Sequence, residues 1–189
     1  KIASMKKDKI RGIGISTYIE ACGGGGPESA SVTVSKNGSI EVKIGTQSNG
    51  QGHATSYAQI VSEILDIDIE QIEIIQGNSK EISTGSGTGG SRSMPVGGSA
   101  LYKATKEFLN KSKNIIASNQ SLDINNLSYE KGFFKYQKKS FSLSDVANIA
   151  NDQNESLETS AAWAPNVGTF TYPNGVHICE LEIDKYTGK

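Results

Sequence analysis

Glycines and small polar side chains at two junctions are the residues of this chain best placed to do chemistry, and the chemistry they suit is holding an anion. Gly45-Thr-Gln-Ser-Asn-Gly-Gln-Gly-His53 joins an alternating run, Ser39-Ile-Glu-Val-Lys-Ile44, to a run in which Ala54, Tyr57, Ala58, Val61, Ile64 and Leu65 share one helical face. A strand, a glycine-rich turn and a helix start present backbone N–H groups that have no partner within the helix, at the positive end of its dipole. Gly50 and Gly52 lack the Cβ that would hold a ligand off the backbone. A glycine-rich turn can also do no more than turn, and His53 reads either as a ligand contact or as a helix N-terminal residue without chemistry. The second junction is Gly85-Ser-Gly-Thr-Gly-Gly-Ser-Arg92, again leading into a helical pattern. Ser86, Thr88 and Ser91 carry hydroxyls able to donate to phosphate oxygens, and Arg92 would bring a forked cationic donor to the same helix mouth. Two such loops suit one long ligand with more than one phosphate.

The elements that must position these loops follow from periodicity and turn chemistry. Gly12 to Glu20 reads as a strand buried on both faces over much of its length, ending in the loop Cys22-Gly-Gly-Gly-Gly-Pro27. Ser29 to Ser35 and Ser39 to Ile44 flank Lys36-Asn37-Gly38, and Asn-Gly between alternating runs predicts an antiparallel hairpin. A helix is expected over 53–66, a strand over 71–76, and a second helix over 92–117 with Pro95 in its first turn. Val96, Ala100, Leu101, Ala104, Phe108, Leu109, Ile115 and Ile116 form the apolar face of that helix, and Gly97, Gly98 and Ser99 would allow another backbone to come close. A small hairpin is expected around Lys131-Gly132, a capped helix over 142–150, a linker over 152–156, and strands over 157–164 and 176–183. The resulting class is α+β: a mixed, largely antiparallel sheet packed against helices.

Composition excludes several functions. Apolar residues make up 35% of 189, the net charge is −1, and basic residues are scattered, so nothing marks a nucleic-acid surface. Lys6, Lys7, Lys9 and Arg11 form one modest cluster that suits a solvated helix end. No run approaches the ~20 apolar residues of a membrane span, and the N-terminus lacks the apolar segment of a signal peptide, which makes cytoplasm the default expectation. Cys22 and Cys179 are far apart, and with only His53 and His177 besides, a metal site built from protein ligands is not expected. His177 is expected to pack, and Trp163 to be a core or subunit-contact aromatic. The 21 glycines concentrate in 12–26, 45–52 and 77–98, well above the ~7% average.

Three motifs fail. Gly85 to Gly90 satisfies Gly-x-Gly-x-x-Gly in letters, but several loop residues separate it from its strand, and Glu107 falls inside a helix where a ribose-binding acid should end a second strand. Neither a P-loop nor a Gly-x-Ser-x-Gly elbow is present.

Taken in order, Arg11 to Ala21, Gly26-Pro-Glu-Ser-Ala30, Gly50-Gln-Gly-His-Ala-Thr-Ser-Tyr-Ala-Gln-Ile-Val61, Gly87-Thr-Gly-Gly-Ser-Arg-Ser93, Pro95-Val-Gly-Gly98 and Tyr172 to Asp184 resemble the molybdenum-cofactor-binding subunit of the xanthine dehydrogenase and aldehyde oxidase family, in its carbon monoxide dehydrogenase large-subunit form. The likeness is weakest over 118–157, where a subdomain break is expected. It implies that residues 1–189 are part of one molybdopterin-binding domain of a longer subunit, with both ends cut. It implies that Gln51 hydrogen-bonds the pterin or a phosphate, that Gly50 and Gly52 admit it, and that His53 and Thr55 meet the pyrophosphate or nucleotide arm. Ser86, Gly87, Thr88, Gly89, Gly90, Ser91 and Arg92 would hold phosphate. The implied cofactor is molybdenum–molybdopterin in its cytosine dinucleotide form, bound to the metal through the pterin's sulfurs, with iron–sulfur and FAD groups on partner subunits and a small-molecule substrate. Gly77-Asn78-Ser79 stands where relatives commonly have Gly-Asp-Thr. The family's glutamate general base lies in a later glycine-rich loop, and Glu180 and Glu182, in a strand pattern, are not assigned that role. The alternative from another class is a non-catalytic module that binds a nucleotide or pterin.

Overall fold

A computed structural model describes residues 8–82, 84–166 and 170–189. They divide into two units, one within 23–170 and the other formed by 8–22 with 171–189.

The larger unit is built on a four-stranded mixed sheet. β2 (Glu28–Val34) and β3 (Ile40–Ile44) pair antiparallel, Val34 opposite Ile40 and Val32 opposite Val42, across the Asn37-Gly38 turn where Gly38 takes φ +90°. The period of two puts Glu28, Ala30, Val32 and Val34 on the buried face of β2, as it does Ile40, Val42 and Ile44 on β3. β4 (Ile72–Gln76) runs parallel to β3 after a crossover through α1 (His53–Leu65), and β8 (Thr159–Trp163) closes the order β4-β3-β2-β8. Because β3 and β4 are parallel, their C-terminal ends open at one edge, and the loops after them, 45–52 and 77–92, leave side by side.

α1 buries Tyr57, Ala58, Val61 and Leu65, and α2 (Ser99–Gln120) buries Ala100, Leu101, Ala104, Phe108, Ile115 and Ile116. Leu109 is half-buried. The segment before α2, Ser93–Gly98, is a π-helical turn instead of the expected first turn of an α-helix. A Cβ on Gly97 would stand 2.9 Å from Thr46 Oγ1 and 3.2 Å from the Tyr57 hydroxyl, so the backbone of this wide turn lies directly against side chains of the first loop and α1.

β5 (Ser128–Glu130), β6 (Phe133–Tyr136) and β7 (Lys139–Ser142) form a meander, followed by α3 (Leu143–Asp152). Ser142 caps α3 with its hydroxyl on the Asp145 N–H, and the Asp145 carboxylate returns to the Ser142 N–H, which makes a capping box. The break expected near 118–157 does not part the core: Leu127, Phe134, Leu143 and Val146 join Val32, Val42, Phe108 and Ile116 in one cluster. Trp163 packs against it, half-buried.

The second unit is a ribbon of β1 (Lys9–Ile19) and β9 (Asn174–Asp184), antiparallel from Lys9 opposite Asp184 to Ile19 opposite Asn174. Ion pairs Lys9–Glu182 (3.1 Å) and Arg11–Glu180 (2.5 Å) cross it. β1 is not buried on both faces as its sequence suggested, since Ile10, Ile13, Ile15 and Ile19 are all exposed, as are Val176, Ile178 and Leu181 on β9. His177 is likewise exposed and stacks on Tyr18, 5.2 Å between ring centres, while Cys179 is exposed and Cys22 half-buried, both as free thiols. Residues 1–7, with Lys6 and Lys7 of the basic cluster, lie outside the described residues.

Candidate functional site

The first loop leaves β3 at Gly45 and enters α1 at His53. Gly50 (φ +112°) and Gly52 (φ +73°) occupy the left-handed region that excludes most side chains, and a Cβ on either would meet no atom within 4 Å. The backbone there is bare on its outer side. No side chain caps α1, and its first turn carries no acid, so the N–H groups of that turn keep their affinity for a negative group. Ser48 Oγ accepts from the Gly52 N–H at 3.2 Å and shapes the turn from within. Gln51 is exposed, its Oε1 held by the Asn49 N–H at 2.5 Å, which leaves the amide nitrogen as the donor it can offer. Thr55 is exposed on the first turn of α1. His53 is 7% exposed, and its Nδ1–H donates to the Gln47 carbonyl at 3.2 Å.

The second loop folds onto the first. Thr88 Oγ1 donates to Gln47 O at 2.5 Å and lies 3.1 Å from Ser93 Oγ. Ser93 O accepts from the Tyr57 hydroxyl at 3.0 Å, and Tyr57 and Thr46 Oγ1 share a hydrogen bond of 2.6 Å. Burial pushes the Tyr57 phenol up from its ordinary range, partly offset by these two hydrogen bonds. Ser86 Oγ donates to Pro27 O at 3.2 Å, and the Ser91 carbonyl accepts from Gly23 N–H at 3.0 Å. Gly89 and Gly90, like Gly50 and Gly52, have open space where a Cβ would stand.

Arg92 departs from its expected role. Its residue is 3% exposed, and each of its five N–H donors meets an acceptor within the chain. Nε–H donates to Gly24 O (3.2 Å), Nη1 to Glu28 Oε2 (2.6 Å) and Gly87 O (2.5 Å), and Nη2 to Gly26 O (2.6 Å) and Pro27 O (3.2 Å). A guanidinium so enclosed ties loops together and offers no fork to a phosphate. The hydroxyls of Ser86 and Thr88 also give their protons to carbonyls of the chain, so the donors these loops have left to offer are chiefly backbone. No lysine or arginine lies in 45–53 to add charge.

Sequence reasoning missed Glu28, although the signal was present. It falls on the inward face of β2 by alternation with Ala30, Val32 and Val34, and an inward carboxylate needs a buried cation. The chain has only two arginines, Arg11 and Arg92. Among the described residues, no group of three His, Cys, Asp or Glu side chains is placed to hold a metal ion, and no helix is long and apolar enough to cross a membrane.

Comparison with known proteins places the chain in a family. A family model described as molybdopterin cofactor-binding domain matches residues 1–189. The chain is 32% identical over 206 aligned positions to the carbon monoxide dehydrogenase large chain of Hydrogenophaga pseudoflava, covering 99% of this chain and 25% of that one. It is 31% identical to subunit gamma of the 6-hydroxypseudooxynicotine dehydrogenase complex of Paenarthrobacter nicotinovorans, covering 94% and 23%. Among solved structures, reconstituted CO dehydrogenase from Oligotropha carboxidovorans superposes with a TM-score of 0.76 at 30% identity, covering 97% of this chain and 25% of that one. Quinoline 2-oxidoreductase from Pseudomonas putida 86 gives 0.80 at 23% identity over 100% and 26%, a likeness of fold. The chain spans about a quarter of the length of the relatives it matches. With the match running from the first residue to the last and the α+β fold shared, the chain belongs to the molybdopterin cofactor-binding domain family.

Proposed function

We propose that this chain grips the molybdenum–molybdopterin cofactor of a molybdenum hydroxylase, through backbone N–H groups at two glycine-rich loops. The observation that carries the reading is the pairing of an uncapped helix start with bare glycine backbone at Gly50, Gly52, Gly89 and Gly90, in loops joined by the Thr88 to Gln47 hydrogen bond. That arrangement fits a group with several phosphate oxygens, which accept from backbone N–H and need close approach. Gly50, Gln51, Gly52, His53 and Thr55 form the first contact set, and Gly87, Gly89, Gly90 and Ser91 the second. His53 and Thr88 act by fixing the loop carbonyl of Gln47. When bound, the cofactor supplies the oxidation–reduction chemistry, and the chain's own work is to orient it and exclude water from its arm. The cytosine dinucleotide form is the one proposed, with a small-molecule substrate, iron–sulfur and flavin partner subunits in a hetero-oligomer, and a cytoplasmic setting.

Gly89→Val tests the reading. Gly89 is outside the left-handed region and a side chain there meets nothing in the chain, so stability should hold within ~0.5 kcal/mol. Molybdenum by elemental analysis and releasable pterin by fluorescence should both fall severalfold. Full retention of both would remove the second loop from the site.

A further inference from the structure

We propose that Glu28 and Arg92 are positioning residues that weld three glycine-rich loops into a cradle with its shape set before any ligand arrives, and that the guanidinium itself makes no contact with the cofactor. The inference rests on the cofactor reading for its purpose, but the cradle is a property of the chain alone.

The three loops are 23–27, 45–52 and 84–92. Arg92 takes carbonyls from the first at Gly24, Gly26 and Pro27 and from the third at Gly87, and the carboxylate of Glu28 completes its set. Glu28 Oε2 accepts a second donor, the Ser86 N–H, at 3.1 Å. Its other oxygen, Oε1, is buried without a hydrogen-bond partner, wedged between Gly45 and Gly85. A Cβ on either glycine would collide with that oxygen, so the carboxylate and two bare α-carbons fit as one unit that spans the second and third loops. The ion pair has side-chain exposures of 4% and 0%.

An orphaned carboxylate oxygen carries a desolvation cost that a simple surface loop would not retain. Its presence is explained when the charge is needed to hold Arg92 in place, and a lysine, with three donors and no planar fork, could not meet all five of the contacts that Arg92 makes. The loops can therefore bring bare backbone to a ligand without collapsing onto each other.

Two readings of Arg92 separate in Glu28→Gln. If Arg92 gripped phosphate directly, removing a neighbouring negative charge would leave cofactor retention unchanged or raise it. If Arg92 is a clasp, the same change leaves a buried cation without its counter-charge, and retention falls.

Hydrogen exchange by mass spectrometry on the cofactor-free intact protein reads the cradle without the cofactor. In Glu28→Gln and Arg92→Lys, peptides covering Gly23 and Ser86 should exchange about 100-fold faster, while peptides over Val32 and Val42 keep wild-type protection. The paired variant Glu28→Met with Arg92→Met removes both charges and so keeps the core folded, yet should show the same fast exchange at the loops. Wild-type exchange at Gly23 and Ser86 in these variants, or cofactor retention in Glu28→Gln at or above wild type, overturns the proposal. Should the wild-type protein carry no molybdopterin, the cofactor reading fails while the exchange result still decides the clasp.

Discussion

Gly97→Ala exposes how tightly the start of the second helical segment is fitted to the first loop. The new methyl would stand 2.9 Å from Thr46 Oγ1, 3.2 Å from the Tyr57 hydroxyl and 3.3 Å from Ile44 Cδ1, all of them fully buried. None of these is the loose end of a flexible side chain. Thr46 is fixed to Tyr57 at 2.6 Å and Tyr57 to Ser93 O at 3.0 Å, so making room lengthens a hydrogen bond in a dry interior. Overpacking costs ~1–3 kcal/mol, and a buried donor or acceptor left unpaired a further ~1–3. Replacing glycine in a helix returns ~1 kcal/mol. The net expectation is a loss of about 2–3 kcal/mol, or roughly 5–10 °C in melting temperature for a unit of this size. Calorimetry on the intact protein measures it, with Thr46→Ala as the second arm. Removing Oγ1 vacates the space, so the two substitutions should be non-additive by at least ~1 kcal/mol, the double variant being more stable than the sum predicts. A raised melting temperature, or additivity within ~0.5 kcal/mol, would show that the close approach at Gly97 does not constrain the loop.

Two further expectations follow from caps and buried phenols. Ser142→Ala removes the hydroxyl half of the α3 capping box and should cost ~1 kcal/mol, but less in an Asp145→Ala background, and equal costs in both would mean that the two side chains do not act as a box. Burial raises the pKa of Tyr57, and of Tyr129 beside Asp66, above the usual 10.0. Each keeps its proton where the unfolded chain has lost it. Their contribution to stability is therefore complete below about pH 10 and is lost as pH rises through the raised values. Ultraviolet titration should show two of the seven tyrosines ionising only with unfolding, and their smooth ionisation in a still-folded protein would contradict the burial argument.

What the sequence made legible was whatever one stretch decides for itself. The β2–β3 hairpin was readable because Ser29 to Val34 and Ile40 to Ile44 alternate about Asn37-Gly38, and each half carries its own evidence. The helix at His53–Leu65 was readable for the same reason. β7 was not, since Lys139-Ser-Phe-Ser142 holds one apolar residue and its turn at Gln137-Lys138 has neither glycine nor asparagine. In β1 the alternation of Ile13 and Ile15 with Gly12, Gly14 and Ser16 reports side chains suited to burial, and burial itself depends on what covers them. The site divides along the same line. Glycine at 50, 52, 89 and 90 marks bare backbone wherever the loop goes, so the contact surface could be read locally. The direction of a hydroxyl or a guanidinium is a non-local fact. Arg92 looks like a phosphate donor until Gly24, Gly26, Pro27 and Glu28, more than sixty positions away, are seen to take four of its five N–H groups, with Gly87 taking the fifth. An arginine beside a glycine loop is therefore evidence for a ligand only after the inward carboxylates of the neighbouring strands have been counted, and here Glu28 was the one to count.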